Sequence, residues 1–168
     1  AEHSYALAAM YPYVAQLSGE AALHSEINWT LEKGSPWGGR WGTTLTLRSA
    51  LSQSIRKEPA NPDFPAGIPG TSGYRTSFLA LGETKYFREI SVEVSRRISQ
   101  TMKGIVGFNR LFYNISALQG HPGAADLTAT TLFADLSFRI SPRKSLRTEL
   151  QHLFSRMDKG SWAMALLE

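Results

Sequence analysis

The chain has 168 residues, 42% of them hydrophobic and 19% charged, with a formal net charge of +4 and no cysteine. Disulfides, thiolate nucleophiles and cysteine metal sites are therefore excluded, and no apolar run approaches the roughly 20 residues a membrane helix needs. The positive excess is spread along the chain, with Arg96-Arg97 and Arg143-Lys144 among its tight pairs, so the basic patch of a nucleic-acid surface is not expected.

In chain order, Tyr5 to Leu17 offers part of a strand interrupted at Pro12, where a proline suggests an edge, a strand end or a loop. Residues 20–33 alternate, with Leu23, Ser25, Ile27, Trp29 and Leu31 on one face and His24, Glu26, Asn28, Thr30 and Glu32 on the other. A helix would scatter those apolar residues, so a period of two marks a strand. Residues 43–54 repeat the pattern, with Leu45, Leu47 and Leu51 set against Thr44, Thr46, Arg48 and Ser52. In residues 86–98, Ile90, Val92, Val94 and Ile98 oppose Ser91, Glu93, Ser95 and Arg97. Residues 103–114 read as a strand with apolar side chains on both faces, Ile105 and Leu111 against Val106, Phe108 and Phe112. Residues 128–140 set Leu132, Ala134, Leu136, Phe138 and Ile140 against Thr131, Asp135, Ser137 and Arg139. Residues 145–155 set Leu146, Leu150 and Phe154 against Arg147, Glu149 and Gln151, and 161–168 are apolar almost throughout.

The connections differ in length. Lys33 to Gly42 is a moderate turn, whereas residues 56–84 form a long polar loop carrying Pro59, Pro62, Pro65 and Pro69. Ser99 to Thr101 is very tight, Ile115 to Leu127 is longer, Ser141 to Lys144 is tight again, and Ser155 to Gly160 is short to moderate. Shorter connections followed by longer ones are the pattern of bacterial outer-membrane barrels, with their short periplasmic turns and long extracellular loops. The segments run about 10 to 13 residues, close to the 9–11 that cross a bilayer at a tilt and longer than the five or six usual in soluble strands. Trp29, Trp37, Trp41, Tyr86, Phe87, Phe112, Tyr113 and Trp162 fall near segment ends, where they are candidates for interfacial girdles.

The expectation is an all-β protein. Residues 1–168 are read as part of an antiparallel up-and-down transmembrane β-barrel of about seven or eight strands. The ragged ends, with an apolar run up to Leu167 and no turn after it, read as a portion of a larger barrel. The competing expectation is a soluble all-β module that binds a ligand such as a glycan through Trp37, Trp41 and the long loop.

Several stretches carry a family resemblance: Tyr5-Ala6-Leu7 leading to Tyr11-Pro12-Tyr13, then Gln16 and Gly19-Glu20; Gly38-Gly39-Arg40-Trp41-Gly42-Thr43; and Ser145-Leu146-Arg147-Thr148-Glu149-Leu150-Gln151-His152-Leu153, followed by Asp158-Lys159-Gly160 and Trp162-Ala163. Together they resemble an uncharacterised family, of unknown domain function, of outer-membrane β-barrel proteins from Bacteroidota. The resemblance spans most of the chain and is strongest at residues 5–48 and 128–168. It implies a place in the later part of a longer barrel and brings no reaction, substrate or catalytic residue.

Chemistry-bearing motifs are sparse. His3, His24, His121 and His152 form no short metal-binding pair, and no nucleophile elbow or phosphate-cradling glycine loop occurs. Asn28-Trp29-Thr30 and Asn114-Ile115-Ser116 match the glycosylation triplet by coincidence. No catalytic residue, metal or cofactor is expected, and the chain is not expected to be an enzyme. The candidate residues are instead the charges that recur on one side of the strands: Glu26, Glu32, Arg48, Glu93, Arg97, Asp135, Arg139, Arg147 and Glu149. In a membrane barrel these face the lumen, because charge on the lipid face costs roughly 2–4 kcal/mol at mid-bilayer. Their mixed signs favour a cross-strand ladder that fills the interior over a selective pore lining. The expected function is thus a channel (porin-like) or a structural or accessory subunit of an envelope assembly in the bacterial outer membrane. Its expected partners are outer-membrane lipid and other envelope proteins, with no nucleic acid.

Overall fold

A computed structural model describes residues 4–16, 19–63, 73–157 and 159–168. Leu17, Pro65, Pro69, His3 and Asp158 lie outside the described residues. Nine strands follow one another: β1 (Glu20–Leu31), β2 (Thr43–Ile55), β3 (Glu58–Pro59), β4 (Tyr74–Arg75), β5 (Leu81–Arg97), β6 (Met102–Tyr113), β7 (Leu127–Ser141), β8 (Lys144–Ser155) and β9 (Trp162–Leu167). One short helix, α1 (Ile115–Leu118), is capped by Asn114, whose side chain accepts from the Ala117 backbone N–H at 2.9 Å.

Seven of these strands form one antiparallel sheet in the order β1-β2-β5-β6-β7-β8-β9, while β3 and β4 pair as a two-residue ribbon inside the long connection. Every neighbour in the main sheet is also the next long strand in sequence, so the topology is an up-and-down meander. β1 and β9 do not pair with each other, and among the described residues the sheet is open at both edges. The connections at one end are 32–42, 98–101 and 142–143; those at the other are 56–80, 114–126 and 156–161.

Register decides what each face carries, because directly paired residues share a side of the sheet. Trp29, Leu45, Val94, Val106, Ala134, Leu150 and Ala165 stand in one unbroken row across all seven strands. The adjacent row on that face is Ile27, Leu47, Val92, Phe108, Leu132, His152 and Ala163. This face is open: Ile27 is 60% exposed, Leu132 47% and Leu150 53%. Charge returns to it only towards the strand ends, at Arg88 and Arg96 on β5 and at Arg110 on β6. Arg88 and Arg96 stand about 26 Å apart along the strand at about 3.3 Å per residue.

The opposite face is covered. Residues 4–16 contain no strand, contrary to the reading of Tyr5 to Leu17 as part of an eighth one. The Ala9 N–H donates to the Tyr5 carbonyl at 3.0 Å and the Met10 N–H to the Leu7 carbonyl at 3.4 Å, so the chain coils tightly here. Coiling brings Tyr5, Ala8 and Tyr11, spaced by three, onto one side, and with Leu7 they are buried against the sheet. We call this segment the strap. A cluster of Leu7, Tyr11, Phe87, Leu111, Tyr113, Leu127 and Leu153 lies beneath it towards the end of the longer connections. Each fully buried side chain of this kind contributes about 1.5–3 kcal/mol. The strap explains why 103–114 is apolar on both sides: Leu111 and Ile105 meet the strap's clusters, while Val106 and Phe108 belong to the open face.

Candidate functional site

The covered face carries the charges picked out from the sequence and sorts them into two groups. Near the β1 edge, Arg48 donates from Nε to Glu26 at 2.7 Å and lies 3.5 Å from Glu93. Asn28 donates to Glu26 at 2.7 Å and accepts from the Thr46 hydroxyl at 2.6 Å, extending the ladder along β1 and β2.

The second group is deeper. Asp135 and Glu149 face each other in register on β7 and β8, and both are buried. Two carboxylates placed so would repel, and Arg147 resolves the conflict. Its Nε donates to Asp135 at 2.7 Å, its Nη2 to Glu149 at 2.6 Å and its Nη1 to Glu168 at 3.2 Å. Gln151 donates its amide N–H to Glu149 and accepts the Leu7 N–H at 2.8 Å, which ties this group to the strap. Further along the face Asn109 donates to Glu89.

Tyr5 closes the group from above. Its ring stacks on Phe133 with centroids 4.0 Å apart. Phe133 in turn lies over Gly107, where a Cβ would come within 2.4 Å of the ring and 2.5 Å of the Val92 carbonyl, so only glycine fits. Burial first, and then the carboxylates Glu93, Asp135 and Glu149, push the Tyr5 phenol up to about 12. At the other end of the strap, the Tyr13 hydroxyl bonds to Glu20 and lies 2.8 Å from the Ser52 hydroxyl, and its ring is 5.3 Å from that of Phe87.

Of the remaining candidates, Arg97 and Arg139 stand at the end of the shorter connections, and both donate to the Gln100 carbonyl, at 2.8 and 3.1 Å. Glu32 follows the last residue of β1 and sits exposed in the turn, away from the ladder. The aromatic set divides further. Trp29 and Phe112 are on the open face, Trp37 is exposed in a turn, and Trp41 lies between Arg40 and Arg97. Trp162 begins β9 opposite Leu153, on the covered side. Tyr86, Phe87 and Tyr113, expected among interfacial aromatics, are instead buried in the cluster under the strap. Phe87 and Tyr113 pair directly on the covered side. The register shift between Ser52 and Gln53 leaves Tyr86 out of the pairing with β2, a bulge that re-aims its side chain.

The site's chemistry is that of shared cations, with Arg48 serving Glu26 and Glu93 and Arg147 serving Asp135, Glu149 and Glu168, so carboxylates outnumber guanidiniums. The carboxylates Glu26, Glu93, Asp135 and Glu149 each face a guanidinium, and Glu89 faces an amide. Among the described residues no group of three or more His, Asp or Glu side chains is placed to hold a metal ion. Sequence reasoning passed over Leu7 and Gln151 because their contact joins residues 144 positions apart, and Tyr5 because its stacking partner Phe133 is likewise far off in the chain; the spacing of Tyr5, Ala8 and Tyr11 was the available signal.

A model of a family of unknown function, DUF6029, matches residues 1–168. The chain belongs to that family. No curated protein and no solved structure matches it. For DUF6029, then, the architecture at hand is a seven-stranded antiparallel meander with almost no helix, one face apolar and open, the other polar and strapped.

Proposed function

We propose that this chain forms part of a transmembrane β-barrel in the outer membrane of Bacteroidota. Its open face meets lipid, and its covered face fills the lumen. The observation that carries this reading is the apolar row running across all seven strands without a polar interruption. Seven strands at about 4.8 Å make it roughly 30 Å wide, and contiguous exposed apolar surface on that scale marks an interaction or membrane face. The bounding arginines support it too. The span from Arg110, level with Ile90, to Arg96 is about 20 Å at about 3.3 Å per residue, of the order of the roughly 25 Å apolar band of outer-membrane barrels, and long cationic side chains at such heights reach out to headgroups. Unpaired edges at β1 and β9 support pairing with further strands, since exposed edges invite aggregation.

The choice between an open channel and a structural or accessory subunit turns on the strap. Tyr5, Leu7, Tyr11 and Tyr13 occupy the face assigned to the lumen, and the carboxylates beneath them are each engaged by Arg48 or Arg147. This favours a filled barrel acting as a structural or accessory part of an envelope assembly. The full-length protein is expected to require detergent for monodispersity and to show no single-channel conductance in planar bilayers. Solubility without detergent would instead return the protein to the soluble, ligand-binding class, and steady unitary currents would make it a channel.

A further inference from the structure

The end of the sheet with the shorter connections gathers cations that no carboxylate balances. Arg97 and Arg139 belong to β5 and β7, with β6 between them, yet both guanidiniums converge on one acceptor, the Gln100 carbonyl. Arg97 also donates from Nε to the Ser99 carbonyl at 3.1 Å and lies 5.0 Å from the Trp41 ring centroid, which Arg40 flanks at 5.1 Å. Lys103 pairs directly with Arg97 across the hairpin. The ion pairs of Arg48 and Arg147 lie elsewhere on the sheet and involve none of Arg40, Arg97, Lys103 or Arg139. Like charges held this close repel unless an anion lies between them.

A cavity of about 380 Å³ opens here, lined by Arg97, Gln100, Lys103 and Arg139 together with Met102 and Phe138. The last two are register partners and belong to the apolar face. The cavity is therefore cationic on one side and apolar on the other. Arg139 Nε and Nη1, Arg97 Nη1 and the Lys103 ammonium have no acceptor among the described residues, so several donors remain for a ligand.

We propose that this corner is a phosphate-binding site for a phosphate-bearing amphiphile. The two guanidinium forks take the phosphate oxygens, Lys103 adds a third cation, and Met102 and Phe138 receive the apolar part. A free phosphorylated solute shares the headgroup chemistry but leaves the apolar wall unused, so a glycerophospholipid is the favoured source. The lipid source rests on the membrane reading above; the phosphate site does not.

The test is calorimetric titration of the full chain in neutral detergent with three probes: dihexanoyl phosphatidylglycerol, inorganic phosphate and dihexanoylglycerol. The phospholipid is expected to bind at least tenfold more tightly than inorganic phosphate, and dihexanoylglycerol not at all. Arg97→Gln and Arg139→Gln should each weaken phospholipid and phosphate binding at least tenfold. Arg139→Lys, which keeps the charge and the fold but loses the fork, should fall between. Arg75→Gln, in the distant loop, should bind like the unaltered protein. Equal binding by the unaltered protein and the Arg97 and Arg139 variants overturns the site, and phosphate binding as tight as the phospholipid's overturns the amphiphile. A protein that needs no detergent yet loses phosphate binding in Arg97→Gln refutes the membrane reading and leaves the site standing. One that needs detergent but binds alike in every variant refutes the site alone.

Discussion

The two faces of this sheet differ in what they expose and what they bury. On one, Ile27, Leu132 and Leu150 stand exposed in rows that are apolar but for His152; on the other, Asp135, Glu149 and Gln151 are buried beneath the strap. In water the first face would be left uncovered and the second would carry the desolvation of its charges, both unfavourable. The proposed contact with lipid would remove the first of these costs, and the contrast becomes a set of substitutions with opposite expectations on the two sides.

The largest effect is expected on the covered side. Arg147→Met leaves Asp135 and Glu149 buried without their shared cation and should lower the unfolding midpoint more than any other change at the ladder, read by denaturant unfolding of the reconstituted protein. On the open side, Leu150→Lys should cost about 2–4 kcal/mol when the protein is in lipid and close to nothing if that face is in water. Urea titrations in vesicles separate the two cases.

Next comes the strap. Tyr5→Ala removes the stack on Phe133 and should weaken strap docking by about 2–3 kcal/mol, seen as faster limited proteolysis within residues 4–16 while the sheet stays protected. Tyr5 also gives the strap a pH dependence. Its folded-state pKa of about 12 lies above the ordinary tyrosine value of 10, so docking is fully favourable below pH 10 and is lost as pH rises towards 12. Tyr5→Phe should abolish that release. The smallest effect belongs to Glu26→Gln at the β1 edge, where the pair with Arg48 is well exposed and the unfolding midpoint should scarcely move. An edge loss as large as that of Arg147→Met would break the distinction between the shallow and deep halves of the ladder.

What the sequence makes legible follows from how local each signal is. Alternation over ten or more residues is local, and it assigns Glu26, Arg48, Glu93, Asp135, Arg147 and Glu149 to one face, where the register places them. Alternation is silent about what covers a face. Tyr86, Phe87 and Tyr113 read as interfacial aromatics because nothing nearby in sequence announces the strap that buries them. The strap itself read as strand because Pro12 and scattered aromatics suit an interrupted edge, whereas the spacing of three in Tyr5, Ala8 and Tyr11 marks a coil folded onto one side. The meeting of Arg97 and Arg139 on Gln100 was equally hidden, since it depends on the turn between β5 and β6 folding its carbonyl between two strands that are not neighbours.

The most direct test of the central claim uses the absence of native cysteine. Spin labels at Leu132→Cys and Thr131→Cys report on adjacent β7 residues that point to opposite faces. In reconstituted vesicles, a label at position 132 is expected to collide readily with oxygen dissolved in lipid and to be shielded from a water-soluble nickel chelate, while one at position 131 is shielded from lipid oxygen. A label at position 132 as accessible to nickel as one on the exposed loop at Thr76 would contradict the account.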